Sequence, residues 1–210
     1  FLHVGNVVNF VLTWLIAKKF GGKILLRIDD LDNQRFRPEY LEDIFRTLDW
    51  LRLDYDEGPF SVDDFHRQFS QRHRLPLYEK YLVQLTERQG FIYACNCSRA
   101  QVKARAENGE YTGECRDKRL PLTTPEAAWR IRTPHTQPIR FEDWRLGEVK
   151  QLLAGAMRDF VVRRKDGLPA YQIASLVDDA HFGVRMIVRG EDLLDSTAAQ
   201  LYLLSVAQPD

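Results

Sequence analysis

Four short stretches of this chain hold residues whose types and spacing could do chemistry. The first is Arg27-Ile28-Asp29-Asp30-Leu31-Asp32, which sets three carboxylates within four positions. Such a cluster can hold a substrate ammonium, can bind Mg²⁺ through oxygen ligands, or can be a solvated acidic loop paired with Arg27 and Arg35. It lacks the glycine and the terminal glutamate of an EF-hand loop. The second is Cys95-x-Cys97 followed by Tyr111-x-x-x-Cys115. Three thiols fall one short of the four ligands that structural zinc prefers, so chemistry alone leaves three ordinary cysteines as the simpler reading. The third is His3-Val4-Gly5-Asn6 ahead of an apolar helix, where glycine permits close backbone approach and a helix N-terminus favours phosphate. A loop that merely leads into the helix explains the same four residues. The fourth is Arg189-Gly190-Glu191-Asp192, an always-charged guanidinium that can meet a carboxylate two-pronged or can pair with its own acidic neighbours. Tyr171, upstream, is either a pocket wall or a core aromatic. The chain holds no Walker A loop and no G-x-G-x-x-G, so a nucleotide would need some other cradle.

These stretches need elements to position them. Val7 to Phe20 reads as a helix, apolar nearly all round and so expected to be buried, with Gly21-Gly22 ending it. Lys23 to Ile28 has the length and apolarity of a buried strand, which places the acidic cluster at its C-terminal end, where open α/β sheets bind ligands. Helix followed by buried strand points to a βαβ unit. Pro38 opens a second helix, with Leu41, Ile44, Phe45, Leu48 and Leu51 at helical spacing. Leu75 to Leu85 forms another, stopped by Gly90. Phe91 to Cys97 is extended, and Ser98 with Gln101 makes a capping box for a short helix. Arg130–Thr133, Ile139–Trp144, Asp159–Arg164 and Gly183–Val188 read as strands. Tyr171–Asp179 and Leu194–Val206 read as helices.

Composition sets limits on function. The 210 residues suffice for one sizeable core, or a core with a smaller insert. Lys+Arg and Asp+Glu are both 30, which argues against blanket electrostatic binding of nucleic acid while leaving room for one basic face. The run Val7 to Ala17 is short of the ~20 residues that span a bilayer, so no membrane association is expected. An odd number of cysteines, three, suits reduced thiols in a cytoplasm. The chain opens at Phe1 without methionine and stops soon after a helix, so truncation at both ends is expected.

Taken together and in order, these stretches resemble the class I glutamyl-tRNA synthetases. His3-Val4-Gly5-Asn6 and the segment Arg27 to Arg35 are similar to that family's His-Ile-Gly-His region and its downstream acidic stretch. Asp159 to Asp179 and Arg189 to Thr197 are similar to its central segment. The resemblance implies an α/β fold: a Rossmann-like parallel sheet of the class I aminoacyl-tRNA synthetase type, split by an inserted α+β zinc-bearing subdomain. The expected boundaries are 1–74 for the first half of the catalytic domain, 75–164 for the insert and 165–210 for the second half.

The resemblance also implies ATP contacts at His3, Gly5, Asn6 and Asp192, the first three forming the catalytic motif. It implies glutamate contacts at Asp29 for the α-ammonium, Tyr171 for the pocket wall and Arg189 for the side-chain carboxylate. Asp29 stands where the family usually has glutamate. Ser175 stands where tRNA-charging members often have asparagine, which points away from plain tRNA charging. The Cys-x-Cys, Tyr-x-x-x-Cys pattern resembles the shortened glutamyl-queuosine tRNA(Asp) synthetases, and that likeness makes Cys95, Cys97, Tyr111 and Cys115 a structural zinc site. The implied cofactors are ATP, Mg²⁺ and Zn²⁺. The implied partners are L-glutamate and a tRNA, either tRNA(Asp) carrying queuosine or tRNA(Glu), for an enzyme expected to be monomeric and cytoplasmic. A Mg²⁺-dependent phosphohydrolase or nucleotidyltransferase built on Asp29, Asp30 and Asp32 is the alternative from another class, and a non-catalytic RNA-binding module is a third. The Ser-Pro-Thr-Gly segment and the Lys-Met-Ser-Lys-Ser-type loop of the family are expected before Phe1 and after Asp210.

Overall fold

The computed structural model describes residues 2–31, 37–105 and 111–207. The elements in chain order are α1 (Val4–Phe20), α2 (Pro38–Leu51), α3 (Val62–Asp64), α4 (Leu75–Glu87), β1 (Ile92–Cys95), α5 (Arg99–Arg105), β2 (Ala128–Ile131), β3 (Ile139–Asp143), β4 (Gly147–Gln151), α6 (Leu153–Ala156), β5 (Val161–Arg163), α7 (Tyr171–His181) and α8 (Leu194–Ala207). A π-helical turn (Phe65–Phe69) and a 3₁₀ turn (Gln71–Arg74) lie between α3 and α4, and a 3₁₀ turn (Glu191–Leu193) leads into α8. They form two compact units. The first comprises Phe1–Pro76 with Met186–Gly190, and the second Leu77–Arg185 with Glu191–Asp210.

In the first unit α1 begins and ends on local chemistry. His3 caps its N-terminus, and Gly21 takes a left-handed conformation at its C-terminus, with the Gly22 N–H closing onto the Ala17 carbonyl at 2.9 Å. The expected burial of this helix is not found: none of its residues is buried, and Val4, Val8, Leu12 and Leu15 form an exposed stripe. A helix apolar all round needs neighbours on every side, and the described residues cover one side only. Trp14 and Lys18 tie that helix to Asp54, with Trp14 Nε1 donating at 2.7 Å and Lys18 Nζ at 2.6 Å. Pro38 sits in the first turn of α2, and Leu41 and Leu48 are buried on one face. Leu41 packs with Ile28 and Phe65 in a core flanked by Leu26, Ile44 and Phe45.

The strand expected over Lys23–Ile28 is corrected. The segment forms a single parallel bridge, Leu25 to Glu57, supported by the Leu26 N–H to the Glu57 carbonyl at 2.8 Å and the Asp56 N–H to the Ile24 carbonyl at 2.9 Å. Gly183–Val188, also read as a strand, carries no regular ladder among the described residues. An apolar extended run announces itself locally, but a ladder needs a partner, and partners are chosen by distant chain.

Gly58 makes the bridge possible. Its φ is 114°, and a Cβ there would stand 2.3 Å from the Leu26 carbonyl oxygen. Gly58→Ala is therefore expected to cost roughly 2–4 kcal/mol, from a backbone collision added to a conformation that L residues rarely adopt. Denaturant unfolding of the full-length protein checks this, and an unchanged midpoint would count against the close approach.

The second unit carries both regular sheets. One is antiparallel in the order β1-β2-β5, and the other is the β3-β4 hairpin. Both lie between residues 92 and 163, inside the stretch expected as an α+β insert, while among the described residues the expected parallel pairing is limited to the Leu25–Glu57 bridge. The strand β4 was missed because Gly147-Glu-Val-Lys-Gln holds one apolar residue and lies mostly in solvent. Buried polar contacts tie the helices together: Tyr78 Oη donates to Asp178 Oδ1 at 2.7 Å, and Tyr81 Oη donates to the Leu203 carbonyl at 3.0 Å.

Candidate active site and metal centre

The first unit gathers five of the expected site residues: His3, Gly5, Asn6, Asp29 and Arg189. His3-Val4-Gly5-Asn6 is the start of α1 and forms a reciprocal capping box. The Gly5 N–H donates to His3 Nδ1 at 3.1 Å, and the His3 N–H donates to Asn6 Oδ1 at 3.1 Å. Two N–H groups of this helix start are thus already engaged, and the motif's sequence pattern follows from local geometry. Gly5 is needed for it, because a Cβ there would lie 2.9 Å from His3 Cε1. The same cap leaves the imidazole and Gly5 exposed at a helix N-terminus, the kind of position that accepts phosphate.

The two neighbouring aspartates have different surroundings. Asp29 is exposed, and its Oδ1 accepts from Arg27 Nε at 2.9 Å. Asp30 is buried. Its Oδ2 accepts from Ser70 Oγ at 2.5 Å and its Oδ1 from the Gln71 N–H at 2.8 Å, while its own N–H donates to Gln71 Oε1 at 3.1 Å. Asp30 therefore clamps the end of the segment 23–28 to the turn before α4, with its carboxylate spent on protein donors. Asp32 and Arg35 lie outside the described residues. The Asp29/Asp30/Asp32 metal cluster loses its central member, and with it most of the case for the phosphohydrolase alternative. Arg189 is half-buried in this unit.

Tyr171 and Asp192 belong to the second unit. Tyr171 is the first residue of α7 and is 48% exposed, so it is not the core aromatic of the blander reading. Asp192 is exposed on the 3₁₀ turn before α8. Ser175 is buried in α7.

The second unit also brings the cysteines together. The Sγ atoms of Cys95, Cys97 and Cys115 all lie within 4.8 Å of one another, and those of Cys97 and Cys115 are 3.5 Å apart. Among the described residues this is the one group of three or more His, Cys, Asp or Glu side chains arranged so. Cys95 ends β1, and Cys97 follows two residues on, so the extended chain aims both thiols the same way. The expected capping box is present: the Ser98 N–H donates to Gln101 Oε1 at 2.8 Å and the Gln101 N–H to Ser98 Oγ at 3.1 Å, which starts α5 directly after Cys97. Tyr111 is buried with them, and its Oη accepts from the Cys115 N–H at 2.8 Å and hydrogen-bonds to the Cys95 thiol.

Three sulfurs and one phenol oxygen thus converge, a donor set of the number and softness that suits tetrahedral zinc. Burial pushes the Cys97 thiol up to about 11, with the Cys115 thiol adding to the shift. Burial also raises Cys95, but hydrogen bonds from Tyr111, from the backbone at Cys97 and from Arg130 outweigh it, so Cys95 lies below its ordinary value.

Two supports of this centre were missed in the sequence. Arg130, on β2, lays its guanidinium 3.7 Å above the Tyr111 ring centroid. Tyr93, its partner across the β1–β2 ladder, has its hydroxyl in hydrogen-bond contact with that of Tyr111 and donates to buried Asp159 Oδ2 at 2.7 Å. Asp159 in turn accepts from the Thr133 N–H at 2.9 Å. A charged residue in the otherwise apolar Ala-Trp-Arg-Ile strand was the available signal.

These elements are those of a class I tRNA synthetase catalytic domain, as two comparisons show. The fold superposes on the solved glutamate tRNA ligase of Elizabethkingia meningosepticum with a TM-score of 0.80 and 26% identity, over 98% of this chain and 44% of that one. Residues 1–208 match the family of class I tRNA synthetases (E and Q), catalytic domain, and the chain belongs to that family. The Glutamyl-Q tRNA(Asp) synthetase of Symbiobacterium thermophilum is 41% identical over 96% of this chain and 66% of its own length. The Glutamate–tRNA ligase of the same organism is 36% identical over 96% of this chain and 44% of its own length. The chain therefore spans about two thirds of the former relative and less than half of the latter.

Proposed function

We propose that the protein activates glutamate with ATP and passes the glutamyl group to a tRNA, with queuosine in tRNA(Asp) as the acceptor. The observation that carries this is the family match over residues 1–208, in a chain that keeps the His3-Gly5-Asn6 helix start and Arg189. In the first step an α-carboxylate oxygen of glutamate attacks the α-phosphorus of ATP, and the bond to pyrophosphate breaks. No protein nucleophile is required, so the work is positioning and charge stabilisation. His3, Gly5 and Asn6 hold the ATP from the start of α1, and Asp192 reaches the ribose. Asp29 takes the substrate ammonium, Tyr171 lines the pocket and Arg189 meets the side-chain carboxylate. Mg²⁺, when bound, neutralises the phosphate oxygens. The Rossmann-like catalytic core of the class I synthetases is part of this reading, as are the boundaries 1–74, 75–164 and 165–210, a monomeric state and the cytoplasm. Zinc held by Cys95, Cys97, Tyr111 and Cys115 clips the insert and is structural, with all four positions filled by protein.

The acceptor is chosen on the tyrosine-containing thiol pattern and on the greater identity to the Glutamyl-Q relative, 41% against 36%. Charging of tRNA(Glu) is the second reading, favoured by the solved neighbour. Full-length protein, radiolabelled glutamate and two RNAs separate them. The expected result is label on queuosine-containing tRNA(Asp) that is retained when the 3′-terminal adenosine is removed and absent when queuosine is missing. Label on tRNA(Glu) that disappears with its 3′ adenosine would overturn the choice.

A further inference from the structure

The thiol centre poses a problem of charge. Zinc(II) held by three thiolates and a phenolate carries a net formal charge of about −2. Tyr111 and Cys115 are buried, and a buried net charge is costly unless an opposite charge accompanies it. Two cations adjoin the sulfurs. Arg105 places Nη1 3.9 Å from Cys97 Sγ but is exposed, where water screens it. Arg130 is held differently. Its Nη1 donates to the Asp159 carbonyl at 2.6 Å, its guanidinium lies against the Tyr111 ring and hydrogen-bonds to Cys95, and its Nε is buried with no hydrogen-bond partner. A half-buried guanidinium whose Nε–H is buried and unspent is costly beside neutral thiols, and the cost falls once its neighbours are anions.

We propose that Arg130 is the positioning and charge-compensating residue of the zinc centre, fixing the Tyr111 ring from one face and offsetting the excess negative charge that a phenolate ligand adds. Histidine as a fourth ligand would add no charge, so a tyrosine there calls for a cation nearby, and a guanidinium stacked on the ring supplies it without competing for the metal. Tyr93, anchored on Asp159, fixes the hydroxyl end of the same ring. This inference rests on the zinc reading above.

The test uses full-length protein and measures zinc affinity by competition with a chromophoric chelator. It also follows the ultraviolet difference band of metal-bound tyrosinate as zinc is added, and the thiolate charge-transfer absorption after Co²⁺ replacement. Arg130→Gln is expected to weaken zinc by about tenfold to a hundredfold and to diminish the tyrosinate band, while the Co²⁺–thiolate absorption persists. Arg130→Lys is expected to recover part of the affinity, because it restores charge without the flat stack. Arg105→Gln should change affinity by less than about threefold. If wild type binds zinc and Arg130→Gln binds it equally, with the tyrosinate band intact, the inference is wrong and the zinc reading stands. If wild type takes up no zinc, both are wrong. Loss of thermal stability with unchanged affinity would make Arg130 a mere packing residue and would also overturn the proposal.

Discussion

Arg189→Ala should reduce kcat/KM for glutamate by at least about a hundredfold, the equivalent of roughly 3 kcal/mol, in ATP–pyrophosphate exchange by the full-length enzyme. The expectation follows from what glutamate demands. Its side chain differs from neutral amino acids by one charge, and a site that takes the carboxylate out of water must return a cation of equal strength. Arg189 is half-buried, in the same compact unit as Asp29 and the His3-Gly5-Asn6 helix start. A guanidinium offers two parallel donors to one carboxylate, so Arg189→Lys should recover only part of the loss. The split between constants matters: uniform binding energy appears in KM, whereas a misplaced α-carboxylate appears in kcat as well. Unchanged circular dichroism in both variants separates pocket chemistry from misfolding. A normal KM in Arg189→Ala would remove Arg189 from the glutamate pocket.

What the sequence disclosed depended on how local each feature is. The Ser98–Gln101 capping box was readable because its partners are three residues apart, and the structure has both of its hydrogen bonds. Pro38 and the apolar spacing after it marked α2 for the same reason. The pairing of Leu25 with Glu57 was not readable, because it depends on a distant loop and on Gly58 letting that loop approach. His3, Gly5 and Asn6 were noticed as a motif, yet the box they form was not. Its acceptor is a histidine nitrogen, which common capping preferences do not include. Asp29 and Asp30 looked equivalent in sequence, and only burial separates the clamp from the exposed carboxylate. The three cysteines were legible as a set through resemblance, and the fold brings their sulfurs together. Arg130 stayed hidden because its partners, Tyr111 and Cys95, arrive from different segments.

Removal of metal should have the largest structural effect. A strong chelator, or Cys97→Ser, is expected to release about one zinc per chain and to loosen the region around β1, α5 and the Tyr111–Cys115 turn. Structural zinc sites contribute on the order of 10 kcal/mol to the regions they organise. The Cys115 N–H to Tyr111 hydrogen bond is local to that turn, Arg130 against the Tyr111 ring and Arg116 donating to the Thr133 carbonyl at 3.3 Å hold its two ends, and the sulfurs link its centre to β1. Hydrogen exchange should therefore rise at Cys95–Arg105 and Tyr111–Arg116 while α7 and α8 stay protected. Acid should act in the same direction. With its pKa pushed up to about 11 by burial and neighbouring sulfur, the Cys97 thiol is protonated near neutrality in the metal-free protein, so zinc must displace that proton. Apparent affinity then weakens by up to about tenfold per pH unit for each proton released, as pH falls. Without metal the sign reverses: stability linked to protonated Cys97 is full below the ordinary thiol value and is lost as pH rises through about 11. Elemental analysis of protein purified without chelator, repeated on Cys97→Ser, decides the matter. Equal zinc in wild type and variant would take Cys97 out of the ligand set.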